Sequence, residues 1–319
     1  MATSGSINFN QTRNEIIQDA YQLIGVYGIG RTISSEDQAF AERSLNRMIK
    51  HWQTQGIHLW AKEEAYLFVA DNTGSYTLDN TSSSARACNR ADAVITQLNG
   101  AHIASDTTLV VDSTTGMTAA DIIGIVNDDD VVTWTTIVSV DSATALTLTA
   151  GLTSACADNS NVYTFTSRIN KPLRIHSMRR ITGVSSATST EIAQSMLGIS
   201  HSEYFDIASK STNGVPNQYY YNPDLSNGTL YLWPRPDDPA IYFEFTYERM
   251  LEDFDASTDN ADFPVEWLDT IVHQLAVRLA EAFGKDDKLQ TLVPKASDML
   301  RSMLDFDSEI TSLFIGVDQ

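Results

Sequence analysis

Along residues 33–60, Ala41, Leu45, Met48, Ile49 and Trp52 recur at i, i+4, i+7, i+8 and i+11. That spacing draws one apolar stripe down an α-helix. Ser34 and Ser35 stand where a side-chain oxygen can cap the first turn, and Ser35 with Gln38 fits a capping box. Glu36 and Asp37 suit the positive end of the helix, and Gly56 is placed as its stop. The apolar residues Ile57, Leu59 and Trp60 follow directly, so the chain is expected to leave this helix into buried structure. Upstream, a helix over 12–24 is capped by Thr12 and ended by Gly25. Its face of Ile16, Ala20, Leu23 and Ile24 is expected to pack on the second helix as an antiparallel pair.

The pattern then changes period. Residues 71–165 hold no Lys and no Glu. Short β-branched runs bounded by Asp, Asn, Gly or Ser predict strands over 65–69, 75–78, 108–111, 122–126, 131–138, 145–149 and 162–165. Their spacing predicts a small antiparallel sandwich or barrel. The run Asn127-Asp128-Asp129-Asp130 lacks the D-x-D-x-D-G loop and trailing Glu of a calcium site, and reads as a hairpin turn.

Helical and extended patterns alternate in the last third. Residues 190–210 are expected to hold one helix with Ile192, Met196 and Ile199 inward. Two runs around Tyr219–Tyr221 and Thr229–Trp233, with a third over 241–249, predict a small sheet with Tyr220, Leu230, Leu232, Phe243 and Phe245 in its core. Asp262 and Pro264 are expected to open a helix whose Leu268, Ile271, Val272, Leu275, Leu279 and Phe283 share a face, stopped by Gly284. A final helix over 288–304 carries Pro294 in its first turns, which predicts a late start or a kink. The tail, residues 305–319, sets Leu313, Phe314 and Ile315 among acids. An apolar tail too short for a core of its own predicts docking on another surface.

The composition adds sign to this picture. The chain of 319 residues carries 41 acidic and 21 basic residues, a net charge of −20. Such a surface favours solubility and opposes a grip on phosphate. One basic island interrupts it: Arg168, Lys171, Arg174, Arg179 and Arg180, with no acid between Ser167 and Thr190. It reads either as a strand with a solvated basic face or as a contact for an acidic partner or neighbouring subunit. No apolar run reaches the length of about 18 residues that suggests a membrane span, so no membrane partner is expected. No secretory leader is visible. Cys88 and Cys156 are expected to be free thiols.

The search for chemistry yields no nucleophile elbow, phosphate loop, zincin motif or zinc spacing. The six histidines are scattered; His273 could reach Glu266, which makes no triad. No catalytic residue, cofactor or metal is expected, and the chain is not expected to be an enzyme.

A resemblance supplements the pattern. Leu23-Ile24-Gly25, the Gly28–Gly30 loop, the run from Leu45 to Trp52 and the closing Gly56-Ile57-His58-Leu59-Trp60 resemble the opening of head-to-tail adaptor proteins of short-tailed bacteriophages. The hairpin ending in Pro234-Arg235-Pro236 and the helix from Trp267 are similar to later parts of that family. The matching stretches, 12–68 and 215–304, cover about half of the chain. The residues alone predict an α+β fold with helices at both ends and β-structure between; with the resemblance this becomes a helical bundle from N- and C-terminal helices, an inserted antiparallel β-domain and a small second β-sheet. The expected divisions are 1–66, 67–167, 168–250, 251–304 and the tail 305–319. It implies a structural virion protein, a ring, usually a dodecamer, that joins the portal protein ring to the tail nozzle or tail-tube protein. Genomic DNA would pass through without specific binding, and assembly would take place in the host cytoplasm. Leu313, Phe314 and Ile315 become candidate portal anchors, the basic island a candidate subunit or partner interface, and Asp253, Asp286 and Asp287 candidate channel-lining acids. Two other readings compete: a tail or surface module that recognises a host glycan, and a cell-wall hydrolase.

Overall fold

A computed structural model of the chain describes residues 5–55, 59–182 and 192–307. It is an α+β protein in two compact units, one from residues 1–61 and 251–319, the other from residues 62–250.

The first unit is helical. α1 (Arg13–Leu23) begins with the capping box of Thr12 and Glu15 and ends before Gly25, whose φ of +68° favours glycine. α2 (Ser35–Gln53) is capped by Ser34, not by the expected Ser35–Gln38 box: the Ser34 hydroxyl accepts from Asp37 N–H, and Ser35 is the first helical residue. Gly56, the expected stop, lies outside the described residues. The remaining helices follow a long excursion: α3 (His201–Asp206) belongs to the second unit, and α4 (Leu268–Ala282) and α5 (Asp286–Phe306) return to the first.

Ile16, Ile17, Ala20 and Tyr21 of α1 share one core with Leu45, Met48, Ile49 and Trp52 of α2 and with Ile271, Leu275 and Leu279 of α4. α1 packs chiefly on α4 rather than on α2. A stripe reveals that a face is buried, not which stripe covers it. Leu23, expected inside, is 38 % exposed, and Tyr21 takes its place in the core. α4 is preceded by a short 3₁₀ turn at Val265–Trp267, and neither is capped by Asp262. The Asp262 carboxylate instead accepts from Glu252 N–H. α5 starts at Asp286, two residues earlier than expected, and carries Pro294 inside its length.

Polar contacts close this unit across a gap of some two hundred residues. Asn46 donates to Phe254 O at 3.2 Å and accepts from Phe254 N–H at 3.0 Å, completing both backbone valences of that residue. Arg13 pairs with Glu42 at 2.8 Å and donates to Asp255 O at 3.0 Å.

The second unit holds three sheets. The strands in chain order are β1 (Lys62–Phe68), β2 (Ser75–Leu78), β3 (Ala87–Asn89), β4 (Ala93–Gln97), β5 (Thr108–Val110), β6 (Ile122–Val126), β7 (Val132–Val140), β8 (Ala145–Leu148), β9 (Asn161–Phe165), β10 (Arg174–Thr182), β11 (Ile192–Ser195), β12 (Leu197–Gly198), β13 (Gln218–Pro223), β14 (Gly228–Trp233) and β15 (Tyr242–Glu248). A five-stranded sheet runs β11-β10-β15-β1-β3, and a four-stranded sheet β12-β13-β14-β2. A six-stranded antiparallel sheet runs β4-β9-β6-β7-β8-β5. Its two ends meet through the antiparallel bridge Leu98–Val111, flanked by Asn99 N–H to Val110 O and Asp112 N–H to Gln97 O. The sheet thereby closes into a small barrel around Leu109, Ile123, Ile125, Ile137, Leu146 and Val162.

Strand pairing cuts across the divisions read from the sequence. β1 and β2 precede the barrel in the chain, yet they pair with β15 and β14, which follow it, and β3 joins the same sheet at the edge beside β1. β15 joins β1 and β10 rather than the β13–β14 hairpin. Tyr219, not Tyr220, faces the core with Leu230 and Leu232, because the alternation of β13 runs in the opposite phase. The helix expected over 190–210 is not formed among the described residues: of that stretch, residues 190 and 191 lie outside the description. The rest is β11, β12 and the six-residue α3, capped by Ser200 and Glu203.

One close approach shapes the barrel wall. Gly124 of β6 lies opposite Trp134 of β7, and a Cβ on Gly124 would meet the indole at 2.6 Å. Gly124→Ala is therefore expected to cost about 1–3 kcal/mol and to displace Trp134, read by urea unfolding and tryptophan fluorescence. In the helical unit, Leu45→Ala, fully buried, is expected to cost about 2–5 kcal/mol, and the half-exposed Leu23→Ala far less.

Candidate interaction surfaces

The basic island lies on and just before β10, and β15 beside it supplies the opposite charge. Arg179 stands across from Glu244, and Arg174 across from Glu248. Glu244 is 5 % exposed and takes an arginine on each oxygen: Arg179 at 2.6 Å on Oε2 and Arg90 at 3.0 Å on Oε1. Filling both oxygens in this way offsets the cost of burying a carboxylate. Glu248, 3 % exposed, has Arg174 at 4.0 Å and the His176 ring at 3.9 Å. The rest of the island holds backbone carbonyls. Lys171 donates to Asp224 O and Leu225 O, Arg180 to Pro216 O, and Arg168 to Ala85 O and Ser83 O.

Each of the five basic residues thus has a partner within the chain. Strand alternation in Tyr242-Phe243-Glu244-Phe245-Thr246-Tyr247-Glu248 puts Glu244 and Glu248 on one face, a signal the sequence reading passed over. Arg90, which also belongs to this charged surface, carries no such signal.

The candidate channel acids are separate. Asp253 pairs with Lys50 at 2.9 Å, with both side chains about half exposed. Asp286 and Asp287 are exposed in the first turn of α5, where negative charge favours the helix. Leu313, Phe314 and Ile315 lie outside the described residues.

The helical unit also carries an apolar groove of about 680 Å³ between the end of α1, the loop after it and the start of α4. Phe9, Leu23, Ile29, Val265, Val272 and His273 line it. Ile29 is 91 % and Phe9 67 % exposed. His273 is buried; Nδ1 lies 2.9 Å from Asp269 O and 3.1 Å from Asp269 Oδ1, and Nε2 has no hydrogen-bond partner among the described residues. The neighbour is Asp269, one turn back on α4, rather than Glu266.

The Asn127–Asp130 run is a hairpin turn between β6 and β7, with Asp130 at φ +59°. Asp128 accepts from Ala157 N–H and Asp129 from the Ser154 hydroxyl, which holds the Asp129 carboxyl below its usual range. Among the described residues no group of three or more His, Cys, Asp or Glu is placed to hold a metal. Cys88 and Cys156 are buried free thiols, and burial pushes Cys156 up to about 11. No helix among the described residues is long and apolar enough to cross a membrane.

A family model described as SU10 adaptor protein matches residues 15–312, nearly the whole chain. The chain belongs to the SU10 adaptor protein family. It is thus a structural phage adaptor, with a place in the virion. The match runs through both compact units, so the barrel and the two further sheets lie within the family's span as the helices do. No curated protein matches the chain.

The Glu244 cluster is expected to be structural. Glu244→Gln leaves two arginines without their carboxylate and should lower stability by about 1–3 kcal/mol. Arg174→Gln, where an exposed guanidinium stands at 4.0 Å from its carboxylate, should change it by less than about 1 kcal/mol. Both are read from urea unfolding.

Proposed function

We propose that this SU10 adaptor assembles as a ring, a dodecamer, that joins the portal ring to the tail nozzle or tail-tube protein and extends the DNA channel. The family match carries the reading. The helical core supports it: α1, α2, α4 and α5 come from the two ends of the chain and share one apolar core, which is proposed to form the ring wall. The groove around Phe9, Ile29 and Val265 supports it as well, since an apolar surface of that kind marks a protein contact. Leu313, Phe314 and Ile315 are the proposed portal anchors, ordered on that template.

The acidic balance fits a conduit. Asp286, Asp287 and Asp253 are proposed to face the passing DNA, where negative charge prevents adhesion. Assembly is proposed to occur in the host cytoplasm, with the portal as template. The basic residues of β10 serve chiefly the fold of each subunit, with the exposed Arg174 left for a neighbour.

The glycan-binding alternative needs a free aromatic platform. Tyr220 and Tyr231 lie side by side, 5.7 Å apart, but α3 lays Tyr204 across both at 5.5 and 4.9 Å. Those ring faces are engaged with each other, which favours the adaptor reading.

Electron microscopy of the purified chain, alone and mixed with its portal ring, tests the proposal. The expected result is a stacked ring that forms only with the portal and fails to form when residues 308–319 are removed. A chain that ignores the portal, or that forms a trimer by itself, would overturn it.

A further inference from the structure

One pair of arginines stands apart from the charge network of β10 and β15. Arg86 precedes β3, and Arg168 lies in the segment between β9 and β10. Both donate to the same two carbonyls: Arg86 to Ser83 O at 2.6 Å and Ala85 O at 3.0 Å, Arg168 to Ala85 O at 3.0 Å and Ser83 O at 3.3 Å. Two guanidinium groups are thus gathered at one short stretch of backbone. Neither has a carboxylate within ion-pairing distance among the described residues, in a chain with nearly twice as many acids as bases.

Between them opens a pocket of about 190 Å³. Its walls are Arg86, Arg168, Ser83, Trp134, Thr135 and Thr136. Arg86 Cζ lies 4.4 Å from the Trp134 ring centroid, and that ring is itself fixed across Gly124. The indole therefore holds one guanidinium in place from the side, by a cation–π contact. The carbonyls engage one nitrogen of Arg86 and two of Arg168, which leaves further N–H donors on both. Burial, and then Arg168, push the Arg86 guanidinium down to about 10. Two like charges held together without a counterion favour any anion that enters.

We propose that the Arg86–Arg168 pocket is a carboxylate-binding site that takes an Asp or Glu side chain from outside this chain. Planar guanidinium groups match the planar carboxylate in paired hydrogen bonds. A carboxylate is favoured over DNA phosphate because the site is a single small pocket, not a basic track, on a chain of net charge −20. A second copy of this chain and another virion protein are the two sources of such a side chain. The chemistry of the pocket is independent of the ring proposed above.

Ser83 is exposed and lines the pocket, so Ser83→Glu places a carboxylate beside both arginines, and Ser83→Gln is its neutral control. In the full chain, S83E is expected to melt about 2 °C or more above S83Q at low salt. The gap should close at about 1 M salt and in an R86Q/R168Q background. S83E melting at or below S83Q would overturn the proposal, and this comparison stands even if R86Q/R168Q fails to fold. A hexaglutamate peptide titrated into the full chain should change the fluorescence of Trp134, with W134F as control, and S83E should weaken its binding at least tenfold. Equal binding by S83E and S83Q, or tighter binding of a short DNA duplex, would sink it. Assembly of S83E with purified virion parts separates the sources. Loss of self-association points to a second copy, and loss of binding to another virion protein points to that protein. Full assembly in both would overturn a docking role even where the ring itself forms, and a wild-type chain that forms no ring leaves the melting comparison unaffected.

Discussion

The second unit depends on one strand, β15. It pairs along its whole length with β1 on one side and β10 on the other, and so joins chain segments that lie on either side of the barrel. Its alternation serves three environments at once. Phe243, Phe245 and Tyr247 enter the core shared with Leu230 and Leu232. Tyr242, on the opposite face, packs with Phe68, Tyr163 and Phe165 of the aromatic cluster where the barrel meets the five-stranded sheet. Glu244 and Glu248 then meet the arginines of β10. A slip of one residue would exchange aromatic rings for carboxylates on both faces, so packing and charge select the same register.

The helical unit meets a different constraint. Its first two helices and its last two are separated by the whole of the second unit, and their shared core forms only when the chain closes that span. Closure entropy grows slowly with length, so a long excursion is tolerated if the closing contacts are good. Those contacts are an apolar core from four helices and the exchange of hydrogen bonds between Asn46 and Phe254. This arrangement lets a barrel and two further sheets sit within the chain of an adaptor without interrupting its helical core.

Charge is arranged in the same economical way. The basic residues around β10 neutralise buried carboxylates or bind carbonyls. A basic island in the sequence looks like a surface for a partner because its counter-charges, Glu244 and Glu248, lie some seventy residues away. Once β10 and β15 pair, most of that surface is satisfied from within. Arg86 and Arg168 form the exception, and they come together only because β3 and the segment after β9 are neighbours in the folded chain: Ile169 N–H donates to Ala87 O.

What the sequence by itself determined is local. Helix faces, the Thr12 cap, the Gly25 and Gly284 stops, and most of the strands of the barrel follow from spacing and turn chemistry within a few residues. The resemblance to phage adaptors rested on such local phrases, and the family match agrees with it. Tertiary structure decided what meets what: α1 on α4, β1 on β15, Tyr219 inward in place of Tyr220, and strands where residues 192–198 read as helix. The physical reason is that periodicity reports only which face of an element is apolar. The partner of that face is chosen by packing and charge summed over the whole chain, across separations that no local pattern records.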